Sequence, residues 1–150
     1  MLWQRINRGD PEKCFIVVYN SYSTASLTNG QAVSWDYVTD ADGVGVTLPP
    51  ARAVSGGTSI AGVAADTIAA GEYGLCQTYG YHSAVRMRTA TGGSPAIAAG
   101  RPLVMSALTT FALESVSTAS TAVLTFPCGF SLAAQASWTT KAVAAFIKAL

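Results

Sequence analysis

Hydrophobic and polar positions alternate along this chain in short blocks, and most of those blocks have the period of a strand. Cys14–Tyr19 is a continuous apolar, β-branched and aromatic run, expected as a strand buried on both faces or at a sheet centre. Thr28-Asn29-Gly30 carries the Asn-Gly pair that suits a tight hairpin, and it leads into Gln31–Val38. There Ala32, Ser34 and Asp36 alternate with Val33, Trp35 and Tyr37, which predicts one apolar face. Val46–Leu48 is a short candidate strand stopped by Pro49-Pro50, and Ala51–Thr58, with Gly56-Gly57, is a connector. In Ser59–Tyr81 two β-prone runs flank a polar elbow at Asp66-Thr67 and a break at Gly71-Glu72. Ser83–Thr89 sets Ala84, Arg86 and Arg88 against Val85 and Met87. Arg101–Ala107, Phe111–Val116, Thr121–Phe126 and Gly129–Leu132 complete a series at roughly the 8–12-residue spacing of sandwiches and barrels.

The last segment changes period. Val143, Phe146, Ile147 and Leu150 fall at i, i+3, i+4 and i+7, with Lys141 and Lys148 off that stripe, so a helix is expected over about 138–149. Ser137, Thr139 or Thr140 would cap it, and it would dock on the open end of its own barrel or on a neighbour. The fold class expected is therefore mainly β: one domain, a β-barrel or β-sandwich of short antiparallel strands, with a C-terminal α-helix. Residues 1–11 form a polar, extended N-terminal arm, and 12–150 the β-rich domain. Ile68-Ala69-Ala70-Gly71 returns as Ile97-Ala98-Ala99-Gly100, 29 positions on. Four residues do not make a repeat architecture, and the match reads as one strand-opening turn used twice.

Composition changes the picture in one respect. Charged residues make up 11% of the 150, against about 25% in an ordinary soluble domain. So little charge favours association, because little repulsion holds copies apart. The net charge of +1 argues against a dedicated nucleic-acid binder. No run approaches the ~18 apolar residues of a membrane helix, and Met1–Arg5 has no signal-peptide core, so synthesis in a cytosol without membrane insertion is expected. Cys14, Cys76 and Cys128 are far apart in apolar runs and read as buried free thiols.

Candidate chemistry is sparse. His82 is the sole histidine, and no Gly-x-Ser-x-Gly elbow or phosphate loop accompanies it, so no catalytic residues, cofactor or metal are expected. A two-carboxylate glycosidase site could arise only by folding. Asp40-Ala41-Asp42-Gly43 lacks the later ligands of a calcium loop and reads as a turn. Arg8-Gly9-Asp10 likewise reads as turn or arm. Tyr73, Tyr79 and Tyr81 would share a face of one unbroken strand, either as a binding surface for sugars or a partner, or as packing for the barrel wall. Position and charge single out the arm (Trp3, Arg5, Arg8) and Arg86, Arg88 and Arg101 as candidates for a subunit or partner interface.

The run Gly62–Gln77, GVAADTIAAGEYGLCQ, is similar to the G-V-A-x-x-x-x-A-A-G-E-x-x-x-V-Q stretch of small capsid decoration (cement) proteins of tailed bacteriophages, with Cys76 where the pattern has Val. A looser likeness covers Ser59–Val104. The resemblance implies a β module on the outer surface of an assembled capsid, a homotrimer bridging neighbouring major capsid subunits. It would be made in the host bacterial cytoplasm and would stabilise the shell without catalysis. Another head or tail structural protein, such as a head fibre, stays open, as does a carbohydrate-binding module on the Tyr73/Tyr79/Tyr81 face.

Overall fold

The structure, a computed structural model, describes residues 12–40, 43–47, 59–89, 97–106, 112–115, 127–135 and 139–149. Among these described residues there are nine strands: β1 (Lys13–Asn20), β2 (Ala32–Trp35), β3 (Gly45–Thr47), β4 (Ile60–Ala64), β5 (Tyr73–Arg88), β6 (Pro102–Met105), β7 (Leu113–Ser115), β8 (Gly129–Ser131) and β9 (Lys141–Lys148). They form one sheet in the order β1-β3-β2-β4-β5-β7-β6-β8-β9, with β5 also paired to β1 and to β9. The chain is mainly β, as the alternation predicts, with no helix among the described residues.

Those pairings trace two rings that share β5. In the first, β1 pairs parallel with β3, and β3–β2, β2–β4, β4–β5 and β5–β1 are antiparallel. In the second, β5 pairs parallel with β7, and β7–β6, β6–β8, β8–β9 and β9–β5 are antiparallel. Order and sense are the same, so the second ring repeats the topology of the first. Finer detail agrees. An isolated bridge joins Leu27 to Ile68 in one ring and Ile97 to Gln135 in the other. The Gly30 N–H donates to the Ala64 carbonyl and the Ala64 N–H to the Gln31 carbonyl; Gly100, Ser131 and Arg101 repeat that pair of bonds. Gly62 and Gly129 take equivalent places, where a Cβ would collide with the backbone oxygen of Gln77 and of Phe146 respectively. Glycine there is a requirement of close strand approach.

The buried apolar residues form two core clusters, the second of which also takes in Ala32 of β2 and Val63 of β4. Val18, Leu27, Val33, Val46, Ile68 and Cys76 fill the first; Val85, Met87, Leu103, Leu113, Val143 and Ile147 lead the second. The shared strand serves both through a bulge between His82 and Val85, which inserts one residue opposite β9. Buried positions on β5 are Cys76, Gln77, Thr78, Gly80 and His82 before it and Val85 and Met87 after it.

Several expectations are corrected. The expected C-terminal helix over 138–149 is instead strand β9 across Lys141–Lys148, antiparallel to both β5 and β8. Its Ala-rich sequence fits both periods: Val143, Ala145 and Ile147, two apart, are the buried face. Two open strand edges decide the matter, since a helix would leave the backbone of β5 and β8 without partners there. Not all pairings are antiparallel, and the runs before and after Tyr81 are one 16-residue strand. The Asn29-Gly30 turn does not close a hairpin; it joins the Leu27 bridge to β2. The strand-opening turn occurs three times, at Leu27–Gly30, Ile68–Gly71 and Ile97–Gly100, with φ of +83°, +77° and +81° at its glycine. Thr121–Phe126, also expected as a strand, lies outside the described residues.

Candidate functional site

The surface that stands out lies on β1 and the first half of β5. Successive strand side chains point to opposite sides, so Phe15, Val17 and Tyr19 of β1 share the outer side with Tyr73 and Leu75 of β5, and a register shift between Cys14 and Phe15 sets Tyr79 opposite Cys14. The register sets Val17 opposite Leu75 and Tyr19 opposite Tyr73. Tyr73 is 66% exposed, Val17 57%, Phe15 45% and Leu75 41%. The expectation that Cys14–Tyr19 is buried on both faces is thus wrong for one face. Cys14 is exposed as well. An apolar strand reads the same in sequence whether its second face is covered by its own core or left open.

The three tyrosines do share one unbroken strand, but each has a different neighbour. Tyr73 lies against Tyr19 with ring centroids 5.2 Å apart. Tyr79 meets Phe146 edge-on at 5.0 Å, and Phe146 stacks on Phe130 at 5.2 Å. Tyr81, half-buried, has the Lys13 ammonium 5.8 Å from its ring centroid. Tyr73 and Tyr79 stand exposed. Beside Tyr19 and Tyr73 a shallow depression of about 430 Å³ includes Asp40, Thr39 and Ser21.

Of the interface candidates, Trp3, Arg5 and Arg8 lie outside the described residues. Arg86 and Arg88 are half-buried, flanking the fully buried Met87 on β5. The Arg86 guanidinium donates to Thr28 Oγ1 at 2.8 Å, so it ties β5 to the first strand-opening turn. Arg101 is exposed in the third such turn, ahead of β6, and β7 separates it from β5 in the sheet. The fold does not gather the three arginines on one strand.

His82, Asp36 and Asp40 are engaged locally. His82 is buried, its Nδ1 accepting the Ala84 N–H at 3.1 Å across the β5 bulge. Burial holds its pKa below 6.5, against the opposite pull of a bond to the Ala64 backbone. The Asp36 carboxylate accepts the Thr39 hydroxyl, the Ser21 hydroxyl at 2.7 Å and the Thr39 N–H at 3.2 Å. Those bonds, led by Thr39, keep its pKa below 3.8 despite burial, and they pin the turn after β2 to the end of β1. Asp40 accepts the Gly45 N–H at 2.7 Å, the role of a turn residue, and Asp42 lies outside the described residues. Cys76 and Cys128 are buried thiols with pKa pushed up to about 12 by desolvation. No cluster of three or more His, Cys, Asp or Glu able to hold a metal ion occurs among the described residues. No described helix is long and apolar enough to cross a membrane.

No protein-family model matches the chain, and no curated protein matches it.

Proposed function

We propose that this chain is a structural virion protein: a capsid decoration protein that binds the outer surface of an assembled phage head and bridges neighbouring major capsid subunits. In this reading the two rings are small β-barrels sharing β5, the molecule works as a homo-oligomer, with a trimer favoured, and it has no catalytic role. The observation that carries the reading is the open apolar face of Phe15, Val17, Tyr73 and Leu75 on a chain with only 11% charged residues. A patch of this kind on a charge-poor surface marks a site of protein contact. The likeness of Gly62–Gln77 to the decoration-protein stretch supplies the kind of partner. Stabilisation of the shell would follow from mass action, since a ligand of the assembled state alone favours assembly, and many copies add weak contacts.

The test is co-sedimentation of the purified protein with heads stripped of it, followed by a count of copies per particle. Saturable binding at many copies over the whole shell is the expected result. Binding at one vertex or at low copy number would replace this reading with a head-fibre or tail component, and no binding would end both. Deletion of residues 1–11 tests the contribution of Trp3, Arg5 and Arg8; occupancy should fall, and unchanged occupancy removes the arm from the interface. One observation favours a second reading, a carbohydrate-binding module. Tyr19 and Tyr73 form an aromatic wall beside Asp40 in the 430 Å³ depression, and glycan binding lost on Tyr73→Ala would establish it.

A further inference from the structure

We infer that the outer face of the second ring carries a binding strip for an acidic polysaccharide, a chain of sugar rings with carboxylates at intervals. The strip is separate from the depression beside Tyr73, and the inference does not depend on shell binding. Strand register defines it. Tyr81 of β5 is opposite Phe146 of β9, Phe146 opposite Phe130 of β8, and Phe130 opposite Pro102 of β6. Opposed residues of an antiparallel pair project from the same face, so four ring-bearing side chains form one row across four strands. That face is the outer one, because Ala145 and Ile147, on either side of Phe146, are buried in the core. Tyr79, two residues before Tyr81, joins the row. Ring contacts make its centre continuous, with centroids 5.0 Å apart for Tyr79 and Phe146 and 5.2 Å for Phe146 and Phe130. Pro102, Phe130 and Tyr79 are exposed, and Phe146 and Tyr81 half-buried.

The rings and the charges around them select the ligand. The face of an aromatic ring is negative, and the C–H faces of a pyranose carry the weak positive charge that complements it. Charge along the strip is mainly positive. Lys148 stands opposite Tyr79 and projects from the same face, the Lys13 ammonium lies 5.8 Å from the Tyr81 ring centroid, and the exposed Arg101 precedes Pro102 at the other end. Two carboxylates lie on the first-ring side: Glu12, next to Lys13, and Asp66, in a depression that Lys13 and His82 also line. The row from Tyr81 to Pro102 contains none. Cations at the two ends of an uncharged row of rings match a ligand whose own charges are spaced by rings, as the carboxylates of an acidic polysaccharide are. A single nucleic-acid strand carries a phosphate at every residue and takes a continuous basic groove, which three cations on a chain of net charge +1 do not make.

Calorimetric titration of the full-length protein with hyaluronan and alginate oligosaccharides tests the inference. Chitin oligosaccharides supply sugar rings without carboxylates, and oligo-dT supplies the phosphate-rich alternative. Both acidic probes are expected to bind more tightly than chitin, with an affinity that falls as salt rises. Phe130→Ala should weaken that binding about three- to tenfold, and Lys148→Gln about two- to fivefold. Tyr73→Ala, outside the strip, should leave it unchanged. Phe130 and Lys148 are both exposed, so the fold should persist, checked by circular dichroism. Lys148→Gln, which keeps the row of rings whole, carries the test if Phe130→Ala fails to fold. Failure of both acidic probes to bind overturns the inference, and so does binding that neither variant weakens or that chitin equals. Binding lost on Tyr73→Ala instead places the glycan in the depression and refutes the strip. Tighter binding of oligo-dT, weakened by the same two variants, makes the strip a nucleic-acid surface and refutes the glycan. If acidic glycans never bind and Phe130→Ala abolishes head binding, the strip belongs to the shell and the inference falls. Glycan binding at the strip by a protein that never binds heads leaves the inference standing and ends the shell reading.

Discussion

At the scale of single residues, two glycines with the same backbone separate two causes of constraint. Gly30 and Gly100 occupy equivalent turns at φ +83° and +81°. A Cβ at Gly30 would collide with the Ala84 carbonyl oxygen, whereas a Cβ at Gly100 meets nothing within 4 Å. Gly100→Ala should therefore carry only the left-handed backbone penalty, about 1–2 kcal/mol. Gly30→Ala adds a backbone clash and should be clearly worse, by about 2 kcal/mol more. Urea melts of the two variants make the comparison, and equal losses would refute it. His82 supplies a pH dependence. Its folded pKa lies below that of the unfolded chain, so below about 6.5 the unfolded state takes up a proton that the folded state does not. Stability should be full above that value and decline as pH falls towards the folded pKa. His82 is the sole histidine, so His82→Gln should flatten the profile between pH 7.5 and 5. A slope that survives the substitution would assign it elsewhere.

Among the elements, β9 is the one whose identity matters most. It pairs with β5 over seven register positions and with β8 over three, and it closes the second ring. An appended helix could be trimmed at modest loss, but removal of 141–150 here strips partners from both neighbours and opens the second core. The truncated protein should fail to fold cooperatively or aggregate through the freed strand edges. A soluble truncation with a wild-type melting profile would contradict this role. Ile147→Ala is the milder version. Ile147 is fully buried in the second core and should lose about 2–5 kcal/mol, measured by denaturant titration.

For the whole molecule, the shared strand makes the two rings one folding unit. β5 contributes Cys76 to the first core and Val85 and Met87 to the second, and residues from both rings, Ala32 and Val63 among them, enter the second cluster. Neither ring can lose β5 and remain closed. Unfolding should then be a single transition, with fluorescence and circular dichroism coinciding along the denaturant axis. Two resolved steps would mean that the rings separate, each holding its own version of the strand.

The sequence by itself determined the β character, most strand positions and the turn chemistry. Period-2 alternation and glycine at positive φ are local properties, readable wherever a strand or turn occurs. It also set the low charge that points towards association. It did not disclose the repeat, because topology can be kept while side chains change. Across the matched segments 27–35 and 97–105, as across 62–68 and 129–135, glycine is the residue retained: Gly30 with Gly100, Gly62 with Gly129. The visible match, Ile68–Gly71 with Ile97–Gly100, aligns turns that open different strands, β5 and β6. Only the tertiary structure made Lys141–Lys148 a strand, since the waiting edges of β5 and β8 lie far away in sequence. Only it exposed Phe15 and Val17, because which face of an apolar strand meets water depends on what packs behind it.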